Sequence, residues 1–133
     1  MIHTVDLPAN HEDQLLHQHP RIRVFKTGFE QYDTGLLQNA GTVLVIEDGS
    51  HQYRDSLACL EKFAPFVTKD AYYIVEDGIV NELGMGKEFN GGPAKAIHEY
   101  LQQHPEFIID RRYCDFFGKN ATFNTNGYLK KIS

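Results

Sequence analysis

Apolar residues fall along this chain in short runs, and two periods can be told apart. The most continuous run is Val43-Leu44-Val45-Ile46, with Gly41 before it and Gly49 after it. It predicts a strand over 42–46, buried on both faces as in a parallel sheet. Tyr53, Leu57, Leu60 and Ala64 then recur at helical spacing, with Arg54, Asp55, Glu61 and Lys62 mostly on the other side. They predict a helix over 50–63, ended by Pro65. A second strand, over 71–75, follows as Ala-Tyr-Tyr-Ile-Val. Pro93 opens a helix through His104, with Ile97, Tyr100 and Leu101 inward.

The ends of the chain are patterned more weakly. Residues 1–7 read as a short strand ending near Asp6, and 22–25 as another. Between them Asn10 can cap a helix through His17, with Asp13 in its first turn. Residues 26–41 read as loop plus a short helix. Residues 106–111 and 121–132 read as two last strands, the latter with the turn signal Asn124-Thr125-Asn126-Gly127 near its start. The order β-α-β-(α)-β-α-β-α-β-β predicts an α/β fold with a mainly parallel sheet and an antiparallel C-terminal edge.

A length of 133 residues predicts one domain, 1–133, with one core. The formal net charge of -5 argues against broad contact with nucleic acid or an anionic membrane. Cys59 and Cys114 belong to no CxxC pattern and read as core thiols in a reduced, cytoplasmic compartment. No signal-peptide h-region and no membrane-length apolar run is present.

Chemistry enters at the strand ends. The predicted strands end in Asp6, in Glu47-Asp48 and in Glu76-Asp77. Ligands of an open parallel sheet bind at the carboxyl ends of its strands. Asp48, Glu76 and Asp77 would then share a small volume, where like charges repel unless a cation or proton neutralises them. Oxygen ligands without a thiolate favour Mg²⁺, or Mn²⁺ or Ca²⁺. His51, one turn from Asp48, can take a proton from a substrate hydroxyl. Acids after strands also cap helices, and a lone histidine is an ordinary surface residue. The set His11, His17 and His19 reads as a polar helix face. Gly84, Gly86, Gly91 and Gly92 lack the P-loop pattern and read as a mobile loop. Tyr72, Tyr73, Phe89 and Phe116 suit an aromatic pocket or plain core packing.

The stretch VLVIEDGSHQYRDSLACLEKFAPFVTKDAYYIVED resembles the core of metal-dependent O-methyltransferases of the cephalosporin hydroxylase and rhamnosyl O-methyltransferase type. It is also similar to the macrolide-sugar O-methyltransferases, and NATFNTNGYLKKI resembles the C-terminal strand of the cephalosporin hydroxylase group. The resemblance implies the Rossmann-like class I fold of S-adenosylmethionine-dependent methyltransferases. It implies Asp48, Glu76 and Asp77 as Mg²⁺ ligands and His51 as the catalytic base toward a hydroxyl of a sugar or small natural product. It implies Asp6 at the cofactor ribose, Gly28 and Phe29 near the adenine, and Asp48 on the cofactor side of the metal.

One element of the family pattern is missing. No E-x-G-x-x-x-G motif precedes Asp6, so the fold is expected to be N-terminally truncated, with the first strand absent. That strand would lie between those ending in Asp6 and Asp48. Either these pair directly, in a rearranged sheet, or a homo-oligomer completes the sheet, because buried unpaired backbone groups cost about 1–3 kcal/mol each. Two other readings stand beside the methyltransferase: a non-catalytic binding or assembly module, and a metal-dependent enzyme of hydrolytic chemistry.

Overall fold

The computed structural model describes residues 1–8 and 14–133. The predicted cap Asn10, the first-turn Asp13 and the candidate ligand His11 lie outside the described residues. The chain forms two compact units, 1–36 and 37–133.

The first unit pairs β1 (Ile2–Val5) in parallel with β2 (Ile22–Phe25), with α1 (Gln14–Gln18) between them in sequence. An aromatic cluster supports it: Phe25 packs edge-on to Tyr32 at 5.0 Å, and His3 Nδ1 lies 2.6 Å from the Tyr32 hydroxyl. The short α2 (Gly28–Gln31) follows, starting from Gly28 in the left-handed region, where its missing Cβ removes the steric cost.

The second unit carries a four-stranded sheet in the order β3-β4-β6-β5. Its strands are β3 (Val45–Glu47), β4 (Tyr72–Val75), β5 (Phe107–Ile109) and β6 (Tyr128–Lys131). β3 and β4 are parallel, while β6 runs antiparallel to both β4 and β5. The fold is thus mixed α/β, and the larger sheet is mixed rather than mainly parallel. The C-terminal strand β6 inserts between β4 and β5, which leaves β5 as the edge. Among the described residues no strand pairing joins β1 to β3, so the two neighbours do not form one rearranged sheet.

Helices α3 (Tyr53–Phe63) and α4 (Gly92–Gln103) pack on each other over one face of this sheet. That face carries Tyr73, Val75, Leu129 and Phe107, all buried. The ring of Tyr100 from α4 meets Phe107 at 6.0 Å. On α3 the buried residues are Ser56, Cys59, Leu60 and Phe63, with Ala64 buried just after it; of the predicted stripe Leu60 and Ala64 are buried, whereas Tyr53 and Leu57 are part-exposed. Both cysteines are buried.

β3 is not buried on both faces. Val43 and Glu47 point to the helices and are buried, whereas Leu44 and Ile46 are 50% and 57% exposed. The reason is position: β3 is an edge strand, and α3 and α4 cover only one face. Two further differences concern the C-terminal third. Residues 106–111 are split between β5 and a four-residue helix, α5 (Arg111–Cys114), capped by Asp110. Residues 121–127 are irregular, and the strand starts only at Tyr128. Among the described residues no helix is long and apolar enough to cross a membrane.

Candidate metal centre

β3 and β4 are parallel neighbours with Val45 opposite Tyr73 and Glu47 opposite Val75. Their carboxyl ends therefore lie side by side. Asp48 leaves β3 and Glu76-Asp77 leave β4. One ligand atom each from Asp48, His51 and Asp77 lie within 4.8 Å of one another. His51 Nε2 stands 3.3 Å from Asp77 Oδ2. Glu76 is not in this trio, but it feels the same field. Burial first, then the Asp48 and Asp77 charges, push its carboxyl pKa up, while His51 opposes them.

The turn between β3 and α3 is held from several sides. The Gly49 N–H donates to Glu47 Oε1 at 3.1 Å, and the Glu76 N–H donates to the Glu47 carbonyl at 2.9 Å. Ser50 Oγ accepts from the Gln52 N–H at 3.2 Å and donates to Asp55 Oδ2 at 2.5 Å. Ser50 thus steadies the entry to α3, and the helix starts at Tyr53 rather than at 50. Both His51 (φ 58°) and Asp77 (φ 53°) hold left-handed backbone. Non-glycine residues take that region at a modest cost, and such residues cluster at functional sites.

Glycine-rich residues 84–92 form a folded wall beside His51. The Phe89 carbonyl accepts from the Tyr53 N–H at 3.1 Å, and Asn90 Nδ2 donates to Gln52 Oε1 at 2.8 Å. The Phe89 ring centroid lies 6.1 Å from that of His51. An open cleft of about 520 Å³ on this loop is lined by Asn81, Gly84, Gly86, Lys87, Asn90 and Gly91. Of the four aromatics considered for a pocket, Phe89 alone is placed by the trio. Tyr73 is core, Tyr72 donates to Asp110 at 2.7 Å, and Phe116 is exposed.

Segment 121–127 braces the other strand end. Asn124 Oδ1 accepts from the Asp77 N–H at 3.3 Å, and the Phe123 carbonyl accepts from the Ile79 N–H at 2.9 Å. The fit is close enough to demand glycine. A Cβ on Gly78 would lie 2.5 Å from the Thr125 carbonyl oxygen, and one on Gly127 would lie 2.0 Å from that of Val75. Sequence reasoning missed Asn124, Gly78 and Gly127 as supports of the site. The turn signal at 124–127 was visible, but its docking on Asp77 is a contact 47 residues away in sequence.

The residues of the first unit expected on the cofactor side stand together. The Gly28 N–H donates to the Asp6 carbonyl at 2.9 Å, and Asp6 Oδ1 accepts from the Leu7 N–H at 2.8 Å. Phe29 is the second residue of α2. Asp48, the fourth such residue, belongs to the second unit and to the trio.

Two carboxylates and an imidazole at this spacing fit a divalent cation of the Mg²⁺ or Mn²⁺ kind, with Glu76 as a further oxygen donor beside them. Residues 31–132 match the family described as Rhamnosyl O-methyltransferase/CmcI. The chain belongs to this family, which places it among the O-methyltransferases. The matched span contains Asp48, His51, Glu76 and Asp77, whereas Asp6, Gly28 and Phe29 precede it. No curated protein and no solved structure gives a significant match.

Proposed function

We propose that the chain is an S-adenosylmethionine- and Mg²⁺-dependent O-methyltransferase acting on a hydroxyl of a sugar or small natural product. The carrying observation is the convergence of Asp48, His51 and Asp77 within 4.8 Å at two adjacent parallel strand ends. Asp48, Asp77 and Glu76 hold the cation; Mn²⁺ or Ca²⁺ suits the same donors. Bound there, the cation lends Lewis acidity to the acceptor hydroxyl, and S-adenosylmethionine supplies the electrophilic methyl. His51 takes the hydroxyl proton on the ring nitrogen that carries no hydrogen, and the Asp77 carboxylate, 3.3 Å from Nε2, stabilises the imidazolium that forms. Phe89 and the 84–92 loop shield one side of the imidazole from water. Asp6 would bind the cofactor ribose, and Gly28 and Phe29 would flank the adenine, in a Rossmann-like fold.

The open edge of β3 supports an assembly in which a second copy completes the sheet. Sedimentation equilibrium tests this, and a stable monomer at working concentration counts against it. The burial of both cysteines, outside any CxxC pattern, supports a reducing, cytoplasmic setting.

A second reading has one observation in its favour. The metal trio lies wholly in the second unit, whereas Asp6, Gly28 and Phe29 lie in the first. Metal-dependent hydrolytic chemistry would need only the second unit. Titration of S-adenosylmethionine with and without Mg²⁺ separates the two. Metal-enhanced cofactor binding supports the methyltransferase, and metal binding with no cofactor binding supports hydrolysis. Binding of neither leaves a non-catalytic assembly module.

A further inference from the structure

Glu47 is unusual for the last residue of a strand: its side chain turns into the protein and is 7% exposed. Its two ends reach both halves of the site. The side-chain Oε1 accepts from the Gly49 N–H at 3.1 Å, in the turn between Asp48 and His51. Its main-chain carbonyl accepts from the Glu76 N–H at 2.9 Å, next to Asp77. One residue therefore ties the β3 turn to the β4 end.

The surroundings of this carboxyl are poorly matched to it as packing. Ser56 and Tyr73 are fully buried, and their hydroxyls meet no well-aligned hydrogen-bond partner among the described residues. Both flank Glu47, with the Ser56 hydroxyl close enough to the carboxyl to favour its charged form. A leucine would fill this place at lower desolvation cost, since replacing a buried charged group by an apolar one is often neutral or stabilising. Among the described residues the carboxyl accepts a main-chain hydrogen bond from the Asp48–His51 turn. Gly49 is matched to it: a Cβ there would lie 2.8 Å from Glu47 Oε1.

We propose that Glu47 is a positioning residue, whose buried carboxyl holds the Asp48-Gly49-Ser50-His51 turn so that Asp48 and His51 face Asp77. It stands outside the Asp48–His51–Asp77 set. The inference rests on the metal-centre reading above and extends it to a residue that reading leaves unused. Groups that orient metal ligands from behind typically change metal affinity by about 10–100-fold when removed.

The test measures Mn²⁺ affinity of the full chain by electron paramagnetic resonance, with thermal stability in parallel. Glu47→Leu removes the acceptor oxygen, and Glu47→Gln keeps one. Expected are a loss of about tenfold or more in Glu47→Leu without loss of stability, and near-normal affinity in Glu47→Gln. Gly49→Ala attacks the same contact from the turn and should weaken Mn²⁺ as well, which covers the case of a Glu47→Leu chain that does not fold. Unchanged affinity in Glu47→Leu, or in Gly49→Ala where Glu47→Leu is unfolded, would overturn the proposal. So would parallel losses of affinity and stability in both Glu47 variants, which mark a merely structural group. If the unsubstituted chain binds no Mn²⁺, the metal-centre reading itself fails, a result distinct from these.

Discussion

His51 and Asp77 approach to 3.3 Å although they sit on different strand-end loops, and both do so from left-handed backbone. Neither conformation is a preferred one for a residue with a side chain. Their meeting therefore reflects restraint from outside the pair: the Gly49 and Ser50 contacts on one loop, the Asn124 contact on the other.

If His51 is the base, its removal should act on the rate far more than on the fold. His51→Ala should lower kcat for methyl transfer by about 10²–10⁴-fold, the usual worth of a positioned general base. The alanine also inherits a left-handed φ of 58°, so a small loss of stability is expected. His51→Asn tolerates that backbone and separates the two effects. It should be as slow as His51→Ala but closer to wild type in thermal unfolding. A full rate in either variant rules the base out.

Gly78 and Gly127 should be intolerant for a different reason. Added Cβ atoms would lie 2.5 Å and 2.0 Å from backbone carbonyl oxygens of Thr125 and Val75. Backbone cannot yield as a flexible side chain can. Each Gly→Ala change should cost about 1–3 kcal/mol or more in urea unfolding, as overpacking does. Gly41→Ala, where a Cβ meets nothing within 4 Å, is the internal control and should be near neutral.

The local parts of this architecture were legible in the sequence because local period dictates them. The helix ending at Phe63, the strand at 72–75 and the Pro93 helix all follow from residues within one or two turns of each other. The pairing of Glu47-Asp48 with Glu76-Asp77 was also legible, since successive β-α-β strands commonly lie side by side. What sequence could not disclose depends on which faces become covered. Leu44 and Ile46 look like core, yet they lie on the uncovered face of an edge strand, and Glu47 looks like surface but is buried. Ser56 in the α3 stripe is the same kind of surprise. The separation of β1 and β2 into their own sheet, and the insertion of β6 between β4 and β5, are long-range choices with no local signature.

The pH dependence of stability should have an acid limb traceable to Asp110. Its carboxyl accepts from the Arg112 guanidinium and backbone N–H and from the Tyr72 hydroxyl. The Arg112 hydrogen bond, ahead of the others and against partial desolvation, holds its pKa well below the ordinary 3.8. A carboxyl with a depressed folded-state pKa stabilises the fold above its unfolded value. That contribution is lost as pH falls from about 3.8 through the folded value. Asp110→Asn should therefore reduce stability at neutral pH and flatten the urea midpoint against pH below about 4. An unchanged acid limb would assign it to other carboxylates.

Metal occupancy should be readable as stability. A ligand that binds only the folded state adds about 2.7 kcal/mol at a hundredfold excess over its dissociation constant. Mg²⁺ or Mn²⁺ should thus raise Tm in a concentration-dependent way, and chelation should reverse it. Asp48→Asn and Asp77→Asn should each abolish most of that gain, because each removes a charged donor from the trio. Glu76→Gln should also cut it, since Glu76 is the third carboxylate proposed to hold the cation. Its raised pKa adds a pH signature. A ligand carboxyl must lose its proton before it binds, so the Mg²⁺-induced gain should shrink as pH falls toward the Glu76 value, and shrink less in Glu76→Gln. If Glu76→Gln leaves the gain intact, Glu76 is not a ligand, and His51 fills that place in the trio instead of serving as the base.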